Sequence, residues 1–268
     1  MQVTDQTGRN VIINSTHRII SLVPSQTELL YDLGLGEKVV GITKFCVHPD
    51  AWYRTKTRIG GTKKLHIDLI RELNPDLILA NKEENSKEDI DSLAKEYPVW
   101  VSDVKDLDSA LEMIRSVGQI TGTEVVSESI CNQILSRFNS MPQYKPIRAC
   151  YLIWKDPYMT VGGDSFIHDM MYRAGFINIY SAQRRYPEIR IEDLQRDKPE
   201  IVLLSSEPFP FKEKHAEELK RIYPECLYIL VDGEMFSWYG SRLIQAADYF
   251  QQLRHEILTK FGYAASDR

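Results

Sequence analysis

Residues 67–79, IDLIRELNPDLIL, have a counterpart later in the chain in residues 191–203, IEDLQRDKPEIVL. Each segment places an acid at the start of an amphipathic stretch, a proline seven residues later, then a second acid and an apolar run. This order predicts a helix that ends before the proline and leads into a buried strand. One copy would carry little information, but two copies indicate two lobes built from the same α/β element.

The sequence around each copy alternates apolar runs with helical periodicity, which is typical of a parallel sheet flanked by helices. Ser25 and Glu28 have the spacing of a capping box, and Gly34 is expected to end that helix. The remaining segments are expectations of the same kind. Predicted strands lie at 18–22, 39–43, 77–80, 99–101, 148–153, 201–204 and 227–231, a hairpin at 3–13, and helices at 67–73, 86–96, 165–174, 191–196, 212–223 and 241–261.

Between the two repeats, residues 107–141 carry apolar side chains at helical spacing, interrupted by Gly122. Residues 123–141 would form a helix of about 28 Å at 1.5 Å per residue, long enough to connect two lobes. We therefore expect an α/β protein with an N-terminal lobe over 1–106, a helical segment over 107–142 and a C-terminal lobe over 143–268, with a ligand cleft between the lobes.

The composition of the chain narrows the range of possible functions. The 268 residues carry a net charge of -5 with acids and bases interspersed, and no basic stripe suggests a nucleic-acid partner. The N-terminus lacks the charged and apolar regions of a secretory signal peptide, so the sequence leaves the cytoplasm open as a location. The four cysteines have no paired spacing and are expected to be buried free thiols.

Enzyme signatures are missing from the chain. It contains no G-x-S-x-G elbow, no phosphate loop with its lysine, and no G-x-G-x-x-G after the first strand. Cys46 and His48 are too close in sequence to face each other readily as nucleophile and base. We therefore expect no enzyme and no catalytic cofactor. A chelatase-like enzyme and a protein that binds a bare metal ion remain the alternatives.

Four features together resemble the binding proteins of ABC importers whose lobes are joined by one rigid helix: the two repeats, residues 18–29 (RIISLVPSQTEL), residues 40–43 (VGIT) before a proline-containing loop, and residues 160–165 (TVGGDS). Cobalamin-binding members are the most similar. The resemblance implies a monomer in the periplasm or at the cell surface, partnered by an ABC transporter permease. Its ligand would be a metal chelate, either a corrinoid such as cobalamin or an iron siderophore or haem.

The resemblance also implies that Asp68 and Glu192 dock onto arginines of the permease, one acid from each lobe. Two fixed anions would form charge-assisted pairs with arginine. Each acid could instead only stabilise the N-terminus of its own helix, by about 0.3–1 kcal/mol.

Ligands of open α/β sheets bind beyond the carboxyl ends of the strands, where the loops of this chain are rich in aromatic residues. His48 is also considered as a metal ligand, but no second histidine is paired with it. Thr62 and Lys82 occupy sites where cobalamin-binding members have tryptophan. The expected ligand contacts are Ser25, Phe45, His48, Trp52, Thr62, Lys82, Trp154, Tyr158, Arg184, Arg185, Phe209, Glu234, Phe236 and Trp238.

Overall fold

The computed structural model describes residues 1–262, which divide into two compact units. Unit 1 comprises Met1–Val104, Asp108–Leu135 and Trp238–Arg242. Unit 2 comprises Lys105–Leu107, Ser136–Ser237 and the chain from Leu243 onward. Within the described chain, no helix combines the length and the apolar character that crossing a membrane requires.

Unit 1 is built on a five-stranded parallel sheet with the order β5-β4-β3-β8-β9. Its central strands are fully buried, and Ile20 of β3 pairs with Ile78 of β8. Two antiparallel hairpins, β1-β2 and β6-β7, accompany the sheet. The strands are β1 Gln2–Thr4, β2 Asn10–Ile12, β3 Ile19–Ser21, β4 Val39–Ile42, β5 Thr57–Arg58, β6 Gly60–Gly61, β7 Lys64–Leu65, β8 Leu77–Asn81 and β9 Val99–Ser102.

Except for α2, the helices of the first half begin and end near the predicted residues. The helices are α1 Pro24–Asp32, α2 Asp50–Thr55, α3 Ile67–Leu73, α4 Lys87–Leu93, α5 Leu107–Thr121 and α6 Glu124–Asn139. The predicted capping box at Ser25 is wrong. Val23 is the N-cap, no side chain caps the helix, and Ser25 lies buried within it. Pro24 at the first turn starts α1 instead, because its missing N–H would have no helical partner there. Helix α2 was expected to be a loop.

Unit 2 contains a four-stranded parallel sheet with the order β11-β10-β12-β13. Its strands are β10 Ile147–Leu152, β11 Phe176–Asn178, β12 Ile201–Ser205 and β13 Leu227–Val231. Its helices are α7 Phe166–Arg173, a 3-10 turn at Ile191–Asp193, α8 Leu194–Asp197, α9 Glu213–Ile222, α10 Gly233–Ser237 and α11 Leu243–Phe261. The two parallel α/β sheets confirm the fold class expected from the sequence.

The repeated segment has the same construction in each unit. Helix α3 ends at Asn74 in the left-handed conformation (φ 43°), and α8 ends at Lys198 in the same conformation (φ 47°). A proline and an acid follow in both copies. The left-handed residue turns the chain out of the helix, and the proline prevents the helix from continuing.

The second acid of each copy holds the segment against the start of a neighbouring strand of the sheet. The Asp76 carboxylate accepts hydrogen bonds from the backbone N–H groups of His17 and Arg18, at 2.8 and 2.9 Å. In unit 2, the Glu200 carboxylate accepts one from the N–H of Arg148 at 2.9 Å. Each acid therefore satisfies backbone donors at the start of the neighbouring strand, which explains why an acid follows the proline in both copies.

Helix α5 packs closely on α6. A Cβ atom on Gly118 would lie only 2.0 Å from the Ser127 hydroxyl oxygen, so this position requires glycine. Gly122, with φ +72°, separates the two helices. The division between the units falls within α6, after Leu135. The predicted lobe boundaries at 106 and 142 remain a prediction.

Candidate ligand-binding site

Unit 1 contains a pocket of about 700 Å³. This volume lies within the range of about 300–1,000 Å³ that is typical of small-molecule sites. Its lining combines one aromatic ring, the glycine hairpin and several basic side chains. The lining residues are Lys44, Phe45, Arg58, Gly60, Gly61, Thr62, Lys63, Lys64 and His66.

The glycine hairpin shapes one wall of this pocket. Gly60 has φ +104°, and a Cβ atom there would lie 2.5 Å from the carbonyl oxygen of Lys64 on the facing strand. A Cβ atom on Gly61 would lie 3.1 Å from the Phe45 ring. Gly60 therefore needs glycine for its backbone conformation, whereas a side chain at Gly61 would only crowd the Phe45 ring.

Phe45 lies in the loop after β4, with half of its surface exposed (50%). Cys46 anchors this loop, because its buried thiol contacts the hydroxyl groups of Thr27 and Thr43 at 3.0 and 3.2 Å. Burial raises the pKa of the Cys46 thiol, and the hydrogen bonds from Thr27 and Thr43 only partly oppose this shift. Cys46 is therefore a structural anchor for the loop that presents Phe45 to the pocket.

Two of the basic side chains are fixed by backbone carbonyl groups. The Lys63 ammonium donates to the carbonyl oxygens of Glu83 and Asn85, and thereby ties the hairpin to the loop after β8. Arg58 donates to the Tyr53 carbonyl at 2.5 Å and lies 5.0 Å from the centre of the Tyr53 ring. These contacts leave the positive charges of both residues without a carboxylate partner among residues 1–262.

The other three basic residues of the pocket are exposed at its rim. The Lys44 ammonium lies 5.0 Å from the centre of the Phe45 ring. Within the described part of the chain, neither Lys44, Lys64 nor His66 forms a side-chain ion pair. The lining contains no aspartate or glutamate.

Phe45 and Thr62 are the two predicted ligand contacts that line this pocket. Five others also belong to unit 1, and Trp52 and Trp238 are two of them. Ser25 is buried on α1, Lys82 pairs with Asp103 at 2.5 Å, and the His48 ring meets the Trp238 ring edge-on at 5.5 Å. Among residues 1–262, no group of three His, Cys, Asp or Glu side chains could hold a metal ion.

Three of the predicted ligand contacts, Trp52, Trp238 and Phe236, are buried, and their contact with a ligand stays a prediction. Trp52 and Trp238 are each 6% exposed, and Trp52 packs on Tyr31 with ring centres 5.4 Å apart. Phe236 is fully buried in unit 2, 4.7 Å from the ring of Phe250. These rings are large enough that burial of their apolar area outweighs the loop-like sequence around them.

In unit 2, Trp154 and Phe209 form an aromatic cluster. Trp154 is 39% exposed and lies 5.9 Å from the ring of Phe209. Phe209 in turn packs on Phe211 and His215, at 4.8 and 5.3 Å. Tyr158 is partly buried against the same hydrophobic core. Trp154 therefore offers an exposed ring that packs against the partly buried Phe209.

The polar candidates of unit 2 are more exposed. Arg184 and Arg185 lie on the surface, and the backbone N–H of Arg185 donates to the Asp164 carboxylate at 2.6 Å. Residues 181–184 pass directly over Gly162 and Gly163, where any Cβ would collide with their backbone. Glu234 is half-buried at the first turn of α10.

Asp68 and Glu192 occupy equivalent positions of the two repeats, and both are exposed. The Asp68 side chain is 94% exposed and lies 3.1 Å from the guanidinium of Arg71. Glu192 lies in the 3-10 turn before α8.

Sequence reasoning missed the Glu28–Arg242 ion pair of unit 1. Arg242 Nη2 and Nε donate to the Glu28 carboxylate at 2.6 and 2.8 Å, and the guanidinium lies 4.7 Å from the centre of the Trp238 ring. Burial raises the pKa of Glu28, and Arg242 only partly opposes that shift. Sequence reasoning also missed the basic lining of the pocket, although Lys63 and Lys64 lie close to Gly60 and Gly61 in the sequence.

Similar solved structures share this fold. The periplasmic vitamin B12-binding protein of Vibrio cholerae has a TM-score of 0.74 at 21% identity, over 91% of this chain and 98% of that one. A periplasmic heme-binding protein of the same species has a TM-score of 0.73 at 21% identity, over 90% and 100%. The Fe3+-hydroxamate transport protein of Saccharomonospora viridis has a TM-score of 0.72 at 18% identity, over 94% and 98%.

By sequence, the chain is 26% identical to a vitamin B12-binding protein of Vibrio cholerae over 194 residues, which is 70% of either protein. The family model described as periplasmic binding protein matches residues 19–223, from the first sheet strand of unit 1 to the end of α9 in unit 2. Because this match includes both copies of the repeated element and most of the chain, the protein belongs to the periplasmic binding protein family.

Proposed function

We propose that this protein is the substrate-binding component of an ABC importer, which captures a metal chelate and delivers it to a permease. The observation that supports this most is the family match across both repeats, residues 19–223. Family members of this kind bind and release a ligand without chemical change, and we extend this to the present chain. The relevant place of action would be the periplasm or the outer face of the cell membrane, and the protein would act as a monomer.

The chelate would be a corrinoid, haem or iron siderophore. Exposed aromatic rings support this class, because they supply apolar contact area with few rotatable bonds and so lose little entropy on binding. Phe45 in unit 1 and Trp154 in unit 2 are the two predicted contacts with exposed rings.

Titration with metal chelates tests this function. We expect one of cobalamin, cobinamide, haem and an iron(III) siderophore to quench tryptophan fluorescence saturably, with the ligand recovered unchanged after incubation. A ligand that is hydrolysed, or that gains or loses its metal, would instead favour a chelatase-like enzyme. No response to any of these chelates would refute the proposal.

Asp68 and Glu192 would form the contact with the permease. Their equivalent positions in the two repeats and their exposure support this role, since a docking acid must be reachable by a partner's arginine. Neither is needed for the core of its unit. Their removal should therefore affect delivery and leave ligand binding unchanged.

A charge-reversal pair separates docking from binding. Asp68→Arg combined with Glu192→Arg should abolish uptake in cells while the purified variant keeps its ligand affinity. Glu88→Arg combined with Glu217→Arg, two exposed acids elsewhere, makes the same charge change and should leave uptake intact. Normal uptake with the first variant would contradict the docking role.

A further inference from the structure

The charge of the unit 1 pocket is opposite to that of the whole protein. The chain has a net charge of -5, yet Lys44, Arg58, Lys63, Lys64 and His66 line one pocket that includes no acid. Like charges held close together repel, and no carboxylate of the described residues pairs with them to offset the repulsion. An anion that entered the pocket would therefore meet several positive charges and no acid of the lining.

The pocket also presents an aromatic ring beside its basic groups. Phe45 presents a half-exposed ring, and the Lys44 ammonium lies 5.0 Å from its centre. Because Gly61 has no side chain, the hairpin passes within van der Waals distance of this ring. A planar group could therefore rest on Phe45 while its acidic oxygens reach the surrounding ammonium and guanidinium groups.

Two of the basic residues are positioned for this purpose. Lys63 and Arg58 each donate to backbone carbonyl groups, which fixes their side chains without neutralising them. Lys44 and Lys64 remain exposed and are not tied to a carboxylate in residues 1–262. The pocket thus combines held and adaptable cations, and an anion would meet both kinds.

We propose that this pocket binds the acidic oxygens of a negatively charged metal chelate, carboxylate or catecholate, and that the cargo of the protein is therefore an anionic chelate and not a neutral corrinoid. The inference rests on the proposed function, since it names the class of chelate.

The test compares ligands that differ in charge at constant metal geometry. Iron(III) tris-catecholate is anionic and iron(III) tris-hydroxamate is neutral, and both enclose the metal in six oxygen atoms. Haem is included because it carries carboxylate groups, and cyanocobalamin is included as a neutral corrinoid. We expect the purified protein to bind the tris-catecholate or haem at least about tenfold more tightly than either neutral chelate, a difference that added salt reduces.

Variants of the pocket lysines test whether the preference for anionic chelates arises in this pocket. Lys44→Gln with Lys64→Gln should weaken binding of the anionic chelate by about tenfold, as expected for loss of two charge contacts. Lys95→Gln with Lys220→Gln changes the net charge equally at exposed positions outside the pocket and should leave affinity unchanged. Because Lys44 and Lys64 are exposed, both variants should unfold at the wild-type temperature.

The outcomes separate this inference from the proposed function. Tight binding of cyanocobalamin or the tris-hydroxamate, unaffected by the pocket variant, would overturn the anionic class and leave chelate capture standing. An anionic chelate that binds equally well to the wild type and the pocket variant would overturn the assignment of the pocket. Failure of every chelate to bind would overturn the proposed function itself.

Discussion

The buried ion pair between Glu28 and Arg242 gives the sharpest prediction for stability. Arg242 reaches both oxygens of the Glu28 carboxylate, and the two side chains are only 9% and 13% exposed. Arg242→Met would keep a long apolar side chain next to Trp238 but remove the charge. The Glu28 carboxylate would then be left nearly buried without its partner, which is the unfavourable half of a broken pair.

The magnitude follows from the contacts that are lost. Removing one partner of a buried pair costs about 3–5 kcal/mol, and the residual exposure of these side chains places this one near 3. Loss of the cation–π contact with Trp238 adds about 0.5–1 kcal/mol. The free energy of unfolding should therefore fall by about 3–4 kcal/mol. With an m-value of about 2 kcal/mol/M, the urea midpoint should fall by about 1.5–2 M.

The loss should also depend on pH. Because burial raises the folded-state pKa of Glu28 above its unfolded value, its contribution to stability is fully present below the unfolded pKa and is lost as pH rises through the folded pKa. Arg242→Met removes a group that lowers this pKa, so the folded pKa rises further. Protonation then relieves the uncompensated charge, and the destabilisation should be smaller near about pH 5 than near about pH 8.

Urea titration monitored by tryptophan fluorescence measures this effect, because Trp52, Trp100 and Trp238 all belong to unit 1. Arg115→Met is the matched control: its pair with Glu128 is 42% and 50% exposed, and should contribute at most about 1 kcal/mol. Glu28→Gln added to Arg242→Met should recover part of the loss. Equal destabilisation at the two pH values, or a loss no larger than that of the control, would refute the reasoning.

Three further predictions concern other parts of unit 1. Trp52→Ala should lower the free energy of unfolding by about 3–5 kcal/mol in the same urea assay, because Trp52 is a core residue packed on Tyr31. A change below about 1 kcal/mol, which is typical of a surface site, would contradict this. Gly60→Ala should cost about 1–3 kcal/mol in backbone strain and also weaken chelate binding, and wild-type affinity in a titration would show that the hairpin does not shape the pocket. Asp76→Asn should make the stability of the fold less sensitive to acid. Burial raises the Asp76 pKa, but hydrogen bonds from Ser15 and two backbone N–H groups outweigh this effect and lower the pKa. The stabilisation by Asp76 is therefore present above the unfolded pKa and is lost as pH falls through the folded pKa. A melting temperature that falls with acid as steeply in the variant as in the wild type would exclude that role.

The local elements were largely predictable from the sequence. Helix α3 and strand β13 have the predicted bounds, and α3 and α8 both end before their prolines, as expected. Hydrophobic periodicity and proline act over a few residues, so a short segment contains the information for them. The parallel sheets follow from the alternation of these elements.

The candidate site was predictable in part. Phe45 and Thr62 were expected to contact a ligand, and they do line one pocket. The buried positions of Trp52 and Phe236 could not be read from the flanking residues, because a side chain is buried by elements that are distant in sequence. Short helices α2 and α10 carry these two residues, and neither has enough periodicity to be seen beforehand.

The sequence by itself determined the repeated α/β element, the order of the longer helices and of most sheet strands, and the family. Only the tertiary structure decided which charges meet. Glu28 and Arg242 are 214 residues apart, and the basic side chains of the pocket come from the loop after β4, from β5 and from the β6-β7 hairpin. The reason is physical: local conformation depends on neighbours along the chain, whereas an ion pair or a pocket depends on distances in space that the packing of whole elements sets.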